Sequence, residues 1–164
     1  MEIKLWINEK LYRDIIEPDT MLLDYLRDKG FKSVKCGCET TNCGLCTVYM
    51  DGKPVLSCSV PAARADGYRI TTLEGVAKEA EVFARFMAEQ GAEQCGYCSP
   101  GFIMNVLAMR RELKNPTEQE VKEFLEGNLC RCTGYESQWR AISNYLQAMK
   151  MLEEQEAKEV GASV

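Results

Sequence analysis

Cysteine is the residue type in this chain with the greatest capacity for chemistry, because the 164 residues contain nine cysteines and no histidine. Histidine is the usual general base near neutral pH and a frequent zinc ligand, so its absence argues against a hydrolase or a catalytic zinc site. In a reducing cytosol, many closely spaced cysteines indicate metal ligation rather than disulfide bonds. Eight of the nine fall into two groups of four, and these are the candidate metal ligands.

The first group consists of Cys38, Cys43, Cys46 and Cys58. Its C-x₄-C-x₂-C spacing, followed after eleven residues by a fourth cysteine, is that of plant-type [2Fe–2S] proteins. In this arrangement a tight loop supplies three thiolates, and the end of a returning strand supplies the fourth. Loop N–H groups can then donate to the sulfur atoms. A Cys₄ zinc site usually has two CxxC pairs, so zinc fits this spacing less well, and a cytosolic disulfide also fits it less well.

Cys36 is the ninth cysteine and precedes Cys38 by two residues. Side chains at i and i+2 of an extended segment point the same way, so Cys36 could replace a ligand. We favour a partly buried free thiol at this position, because four better-spaced ligands already exist.

The second group consists of the pairs Cys95-x₂-Cys98 and Cys130-x-Cys132, separated by thirty-one residues that contain two predicted helices. Each pair precedes a predicted helix start, and the positive N-terminal ends of helices favour an anionic sulfur cluster. The CxC pair is unusual for a zinc ribbon. The spacing therefore favours an iron–sulfur cluster, with a zinc site as the alternative.

The first half of the chain has the pattern of an α+β unit in which a sheet grasps one helix. Alternation of apolar residues predicts a strand over 3–7, a turn at 8–10 and a second strand over 11–15. A short helix over 21–30 should end at Gly30. Strands are predicted over 47–50 and 53–58, joined by a turn at Asp51–Gly52, and a further strand over 68–72.

The second half has the pattern of a four-helix bundle, with helices predicted near 77–90, 100–112, 118–127 and 134–152. Ser99 and Pro100 are typical of an N-cap and the first helical position. Capping boxes are predicted at Thr117/Glu120 and at Thr133/Glu136. These patterns predict two domains, 1–76 and 77–152, followed by an acidic tail over 153–164 that forms a frayed helix end or a solvated extension.

Charge and hydropathy exclude two classes of partner. The net charge is −5 and no basic stripe is present, so nucleic-acid binding is not expected. The longest apolar stretch, around residues 102–109, is too short for a membrane span. The chain begins on a strand-like pattern rather than a signal peptide, so we expect a cytoplasmic protein.

Four sequence segments together carry a family resemblance: GCETTNCGLCTV at 37–48 with SC at 57–58, QCGYCSPG at 94–101, and GNLCRCTGY at 127–135. In this order and spacing they resemble the small iron–sulfur subunit of the molybdenum hydroxylases. This is the family of xanthine dehydrogenase and aldehyde oxidoreductase, which includes aerobic-type carbon monoxide and nicotinate dehydrogenases. The similarity extends from about residue 2 to residue 150.

The resemblance implies an N-terminal plant-ferredoxin-like (β-grasp) domain and a C-terminal all-α four-helix domain, each binding one [2Fe–2S] cluster. It implies that each group of four cysteines ligates one cluster, with molybdopterin beside the second and FAD toward the first, both on partner subunits. Gln94 and Cys132 match residues that contact the pterin in relatives. A local cap or a core hydrogen bond is the alternative role for Gln94.

The first cysteine loop departs from the family pattern, in which glycine is common. Here residues 39–42, Glu-Thr-Thr-Asn, fill the loop. Asn42 tolerates a left-handed backbone, whereas Thr40 and Thr41 adopt one only at an energetic cost. We therefore expect a different loop path, which would affect the reduction potential rather than the ligation.

The function implied by the resemblance is an electron-transfer subunit of an oxidoreductase complex. It would relay electrons from a molybdopterin-binding large subunit to an FAD-binding medium subunit, or to another acceptor, within a higher-order hetero-oligomer. The complex would hydroxylate an N-heterocycle, purine or aldehyde with oxygen from water, and this chain would contribute no catalytic residue. The alternatives are a zinc-stapled interaction module and a free-standing two-cluster ferredoxin or redox sensor.

Overall fold

A computed structural model of the chain describes residues 1–161, and its N-terminal half is a five-stranded mixed sheet with one helix. The strands are β1 (Glu2–Ile7), β2 (Lys10–Ile15), β3 (Thr47–Met50), β4 (Lys53–Leu56) and β5 (Arg69–Thr71), and the helix is α1 (Leu22–Asp28). The strand order is β2-β1-β5-β3-β4. Strands β1 and β5 are parallel, and the other neighbours are antiparallel. The α+β prediction is confirmed.

Both hairpin turns follow from local sequence. Asp51 and Gly52 have φ values of 47° and 82°, so both central residues are left-handed, as the hairpin prediction requires. Asn8 and Glu9 form the first turn in the same way, with φ values of 48° and 67°. Gly30 ends the region of α1 with φ 94°, as predicted.

The sheet buries one face against α1. Ile3, Leu5 and Ile7 of β1 are each at most 1% exposed and belong to one hydrophobic cluster with Leu22 and Leu26 of α1. The alternation in β1 and the helical spacing in α1 thus bring two apolar faces together, as the sequence predicts.

The C-terminal half contains the four predicted helices: α2 (Ala77–Glu89), α3 (Ser99–Glu112), α4 (Glu118–Leu125) and α5 (Glu136–Gly161). A second hydrophobic cluster, built around Phe83, Phe102 and Tyr145, packs α2, α3 and α5 together. Within residues 1–161, none of the helices combines the length and apolar character needed to span a bilayer.

Helix starts differ from the sequence predictions at two of three places. The Thr117/Glu120 capping box forms as predicted. Helix α3 begins at Ser99, so Cys98 rather than Ser99 is its N-cap. The Thr133/Glu136 box was a wrong prediction: the hydroxyl of Thr133 instead accepts from the backbone N–H of Tyr135 and lies 3.2 Å from Cys130 Sγ.

Helix α5 continues through the predicted boundary at residue 152. Its 26 residues make it about 39 Å long at about 1.5 Å per residue. Glu153 forms an ion pair with Arg110 of α3, with 2.8 Å between Oε1 and Nη2. The predicted acidic tail is therefore helical over 153–161, and its last three residues, 162–164, lie outside the described residues.

A polar network joins the first hairpin to the segment that leads into α2. Asn8 exchanges two hydrogen bonds with Thr72, donating from Nδ2 at 2.9 Å and accepting from the backbone N–H at 3.0 Å. The carboxylate of Glu74 accepts from the hydroxyls of Thr72 and Ser33 and from the backbone N–H of Ser33. Burial opposes ionisation of Glu74, but these hydrogen bonds outweigh it and hold its pKa below the ordinary value of 4.5.

The two halves meet where β3 packs on α3. Tyr49 of β3 is 1% exposed and forms a small hydrophobic cluster with Met104 and Ala108 of α3. Its hydroxyl donates to the backbone carbonyl of Met104 at 2.5 Å. Burial raises the pKa of Tyr49 to about 12, so the phenol stays a protonated donor.

Candidate metal centres

The first cysteine group lies on two loops of the sheet. Cys38, Cys43 and Cys46 occupy the segment between α1 and β3, as predicted. Cys58 lies in the 3₁₀ turn Ser57–Ser59, because β4 ends at Leu56, two residues before the predicted end of the strand. The two loops are tied together by Ser57, whose hydroxyl donates to the backbone carbonyl of Cys46 at 2.8 Å.

The thiols of this group are arranged as two pairs. Cys38 and Cys43 form one pair, because each thiol acts directly on the pKa of the other. Cys46 and Cys58 form the other pair, because Cys46 is the thiol that acts most strongly on the pKa of Cys58, ahead of Cys38 and Cys43. The structure therefore brings together all four predicted ligands of the first group.

The electrostatics of this group favour the thiolate form of Cys38 and oppose that of Cys43 and Cys58. Backbone N–H groups of Thr40 and Asn42 face the sulfur of Cys38 and lower the pKa of its thiol to about 6. Burial, and then the neighbouring Cys46, raise the pKa of Cys58 to about 12. Four thiolates here would repel one another in a partly buried site, so they require a cationic centre among them.

The loop that carries Cys38 and Cys43 contains a strained residue. Thr41 has φ 58°, so the left-handed conformation occurs at a β-branched residue and not at the more tolerant Asn42. Polar side chains brace the loop: the Thr41 hydroxyl donates to the Thr40 carbonyl, and Asn42 Nδ2 donates to Thr40 Oγ1. The expected energetic cost of the glycine-poor loop thus falls on Thr41.

The second cysteine group also consists of two pairs, and each pair joins the two sequence motifs. Cys95 and Cys132 have their sulfur atoms 3.5 Å apart, and both are exposed. Cys98 and Cys130 form the second, less exposed pair. The four predicted ligands are therefore together, with an outer pair at the surface and an inner pair.

Helix ends and hydrogen bonds act differently on the two inner cysteines. Burial, and then the Cys130 thiol, raise the pKa of Cys98 to about 12. Burial also acts to raise the pKa of Cys130, but the hydroxyl of Thr133 and nearby backbone N–H groups outweigh it and lower that pKa. Of the two motifs, only the first lies at a helix N-terminus: Cys98 is the N-cap of α3, whereas α5 begins four residues after Cys132. The prediction that two helix ends converge on the second group is therefore correct for α3 and wrong for α5.

Paired thiols fit a cluster of two irons. In the part of the chain that the structure describes, no three His, Cys, Asp or Glu side chains are spaced to hold one metal ion. A [2Fe–2S] cluster has a different requirement, because each of its two irons takes two of the four ligands. The two-plus-two arrangement in each group meets this requirement, and thiolate sulfur is the donor that iron–sulfur clusters use.

The loops of the two groups are directly connected. The backbone N–H of Leu129, next to Cys130, donates to the backbone carbonyl of Cys43 at 3.0 Å. Cysteines of both groups line one cleft of about 390 Å³, with Tyr97 and Leu129 among its walls. A ligand loop of the first group therefore touches a ligand loop of the second.

Helix α3 lies against the first ligand loop at Gly101. A Cβ atom at this position would be 2.8 Å from Leu45 Cα and closer still to the carbonyl oxygen of Gly44. Only glycine permits this approach. Four residues further along the helix, Asn105 Nδ2 donates to Thr47 Oγ1 at 3.1 Å and to Asn128 Oδ1 at 2.9 Å, which bridges the two halves.

Two remaining residues from the sequence prediction lie at the surface. Gln94 is exposed beside Cys95, so its side chain is not in the core; its contact with a pterin stays a prediction. Cys36 is exposed rather than partly buried, with its sulfur 3.8 Å from the carbonyl oxygen of Cys38.

Sequence reasoning missed two residues beside the second group. The hydroxyl of Tyr135 accepts from the backbone N–H of Cys130 at 2.9 Å. Gln138, on the first turn of α5, is 2% exposed and directs its amide nitrogen to Cys98. The sequence contains one signal for Gln138, a polar residue among the apolar positions of α5, but this signal does not show which group the glutamine contacts.

Comparisons with known proteins agree with this geometry. A family model described as "2Fe-2S iron-sulfur cluster binding domain" matches residues 8–77, and one described as "[2Fe-2S] binding domain" matches residues 72–143. The nicotinate dehydrogenase small FeS subunit of Eubacterium barkeri is 44% identical over 136 residues, which are 81% of this chain and 87% of that protein. The xanthine dehydrogenase iron-sulfur-binding subunit of Escherichia coli O157:H7 is 46% identical over 126 residues, 73% of this chain and 77% of that protein.

A solved structure is similar over nearly the whole chain. It is a chain of quinoline 2-oxidoreductase from Pseudomonas putida 86, with a TM-score of 0.83 and 36% identity, covering 92% of this chain and 96% of that one. Aldehyde oxidoreductase from Desulfovibrio gigas has a TM-score of 0.80 and 32% identity. This chain is 92% covered by that match but corresponds to only 17% of the longer protein.

Proposed function

Since the chain belongs to the family of small iron–sulfur subunits of the molybdenum hydroxylases, we propose that it holds two [2Fe–2S] clusters and relays electrons between partner subunits. The observation that carries this proposal is the gathering of four thiols in each cysteine group, with the sulfur atoms of Cys95 and Cys132 3.5 Å apart across the two motifs of the second group. When bound, each cluster accepts and releases one electron at a time.

The chain's own residues hold and tune these centres. Cys38 and Cys43 would bind one iron of the first cluster, and Cys46 and Cys58 the other. Cys95 with Cys132 and Cys98 with Cys130 would do the same for the second cluster. Backbone N–H groups around Cys38 stabilise negative charge on sulfur, as they already do for its thiolate.

The relay has a direction that the exposure of the second group supports. Its outer pair, Cys95 and Cys132, faces the surface next to Gln94, where a molybdopterin held by a large subunit could approach. Its inner pair adjoins Leu129, whose backbone bond to Cys43 leads to the first group. The first group would then pass electrons to FAD on a medium subunit, or to another acceptor.

Two domains would divide these tasks. Residues 1–76 would form the ferredoxin-like unit and 77–152 the helical unit, and the two family matches, at 8–77 and 72–143, support a division near this point. The named small subunits of nicotinate and xanthine dehydrogenases are parts of larger enzymes. By analogy, the complex containing this chain would hydroxylate an N-heterocycle, purine or aldehyde with oxygen from water.

Metal and sulfide analysis of the anaerobically purified chain tests the proposal. About four iron and four sulfide per chain are expected, with two distinct electron paramagnetic resonance (EPR) signals after reduction. Cys46→Ser should reduce or alter only one signal and Cys98→Ser only the other, whereas the matched variant Cys36→Ser should keep both. Zinc without sulfide would establish the interaction module instead.

Purification of the native complex tests the partners. A tag on this chain should recover a molybdopterin-containing subunit and a flavin-containing subunit in fixed ratio. Recovery of the chain alone, with both clusters intact, would support a free-standing ferredoxin or redox sensor and contradict the subunit role.

A further inference from the structure

Gln138 is a buried polar side chain with one satisfied end and one unsatisfied end. It is 2% exposed, and its Nε2 lies 3.9 Å from the sulfur of Cys98. Its Oε1 is the only buried side-chain nitrogen or oxygen in the described part of the chain that has no hydrogen-bond partner there. A buried acceptor without a partner is destabilising, so the position of this amide needs another explanation.

The orientation of the amide follows from the sulfur that it faces. Cys98 would bind iron as a thiolate, which is an acceptor, so an amide N–H directed toward it is attractive, whereas the amide oxygen in that place would be repelled. Turning the amide over would place Oε1 against that thiolate and would lose the hydrogen bond to Cys98. The N–H end therefore faces the sulfur, and the oxygen is left unpaired as a consequence.

Water cannot take over the role of this amide. The gap around Cys98 and Gln138, which Leu45, Phe102 and Leu129 also line, has no volume open to a water molecule. Cys130, the other neighbour of this sulfur, would itself be an iron ligand and so not a donor; with a cluster bound, the backbone N–H of Cys98 and the Gln138 amide would donate to the Cys98 sulfur on its enclosed side. In such a dry environment a hydrogen bond to a charged sulfur is stronger than in water.

We propose that Gln138 raises the reduction potential of the second iron–sulfur centre by donating a hydrogen bond to the Cys98 thiolate. The inference rests on the proposed function, because it requires a cluster at the second group. Reduction adds one electron and no proton, so negative charge on the ligand sulfur atoms increases and the amide stays neutral. A donor that binds the more negative state more strongly favours reduction.

In this role Gln138 acts on the second centre through the Cys98 sulfur rather than as an iron ligand. It faces the inner pair, on the side toward Leu129 and the first group, rather than the exposed outer pair. A higher potential at the second centre makes it a better acceptor from a site at the surface and a weaker donor to the first centre. The amide therefore influences which of the two centres holds an electron when only one is present.

Gln138→Leu is the principal test, in the full chain or its native complex. Leucine is similar in size, removes the donor, and also removes the unpaired oxygen, so the variant is expected to fold. In an EPR-monitored redox titration with mediators, the reduction equilibrium of the second centre should shift about tenfold toward the oxidised form. For a one-electron couple this corresponds to a potential about 59 mV lower.

Internal and matched controls separate tuning from packing. The potential of the first centre, in the same sample, should not change. Ile142→Val, one turn further along the buried face of α5, removes a methyl group without a polar change and should move neither potential. The signals are assigned beforehand with the Cys46→Ser and Cys98→Ser proteins.

Each outcome decides one question. If the second centre of Gln138→Leu keeps its potential within about twofold in equilibrium, or if Ile142→Val shifts it equally, the amide does not tune the centre. If the unsubstituted chain lacks iron and sulfide at the second group, the proposed function itself fails. Loss of an exchangeable proton coupling to the reduced centre in Gln138→Leu, measured by electron–nuclear double resonance in D₂O, would support the hydrogen bond directly.

Discussion

Replacing Gly101 with alanine should push helix α3 away from the first ligand loop. The new methyl group would lie 2.8 Å from Leu45 Cα and closer to the carbonyl oxygen of Gly44, whereas carbon atoms normally pack at about 3.5–4.0 Å. Both obstacles are backbone atoms, so no side-chain rotation relieves the overlap. The helix or the loop must move by about 1 Å to restore that spacing.

The free energy of this change can be worked out from its two parts. Overpacking in a well-packed site destabilises by about 1–3 kcal/mol, and because backbone atoms obstruct the new methyl group, the cost here lies in the upper part of that range, about 2–3 kcal/mol. Alanine recovers up to about 1 kcal/mol relative to glycine in a helix. The free energy of unfolding should therefore fall by about 1–2 kcal/mol, which for a chain of this size lowers Tm by about 2–8 °C.

Gly127→Ala is the matched control, because it makes the same substitution where nothing lies within 4 Å of the new Cβ and φ is not positive. Its Tm should stay the same or rise slightly. Thermal unfolding of the cluster-loaded proteins at one scan rate measures the difference. Hydrogen exchange should also accelerate at the Leu129 amide in Gly101→Ala, because its acceptor lies on the displaced loop. Equal Tm values for the two variants would refute the close-approach argument.

Three further predictions concern stability. Thr41→Gly should raise Tm, because glycine relieves the left-handed backbone strain of about 1–3 kcal/mol at this position. The control Thr40→Gly, at a residue without positive φ, should lower Tm. A change of Tm in the same direction for both variants would contradict the strain at Thr41. Glu74 has a lowered pKa, so the advantage in stability of the unsubstituted chain over Glu74→Gln should be full above the unfolded-state pKa of 4.5 and should disappear as the pH falls through the lower folded-state value. Tm measured for both proteins from neutral pH down through that value checks this prediction. A Tm difference that widens in acid would rule it out. Tyr49→Phe removes the hydrogen bond to the Met104 carbonyl and should lower the free energy of unfolding, measured by denaturant titration, by about 0.5–1.5 kcal/mol. An unchanged free energy of unfolding would show that this hydrogen bond does not contribute to stability.

Features with local causes could be predicted from the sequence. The Asp51–Gly52 turn and the Thr117/Glu120 capping box depend on residues at most three positions apart, and both are present. The cysteine spacing predicted which thiols gather, because a loop and a helical hairpin restrict where each can lie. The spacing did not reveal that Cys95 pairs with Cys132 across the two motifs.

Features with tertiary causes could not be predicted in this way. Thr133 has the sequence of a capping residue, but the nearby Cys130 sulfur competes for its hydroxyl. The approach of Gly101 to Leu45 joins positions more than fifty residues apart, and no local pattern marks it. The extension of α5 beyond residue 152 has a local cause instead, because the Glu, Gln, Ala and Lys residues that follow have high helix propensity, so this feature could be predicted from the sequence.

The bond between Leu129 and Cys43 has a consequence for the evolution and engineering of this chain. Both the donor and the acceptor are backbone atoms, so ordinary side-chain substitutions at either position leave the chemical groups in place. Among the standard amino acids only proline at position 129 deletes the donor. The non-ligand side chains of the two loops can therefore change to suit different partners without loss of the hydrogen bond that links the loops, because this bond depends only on backbone atoms.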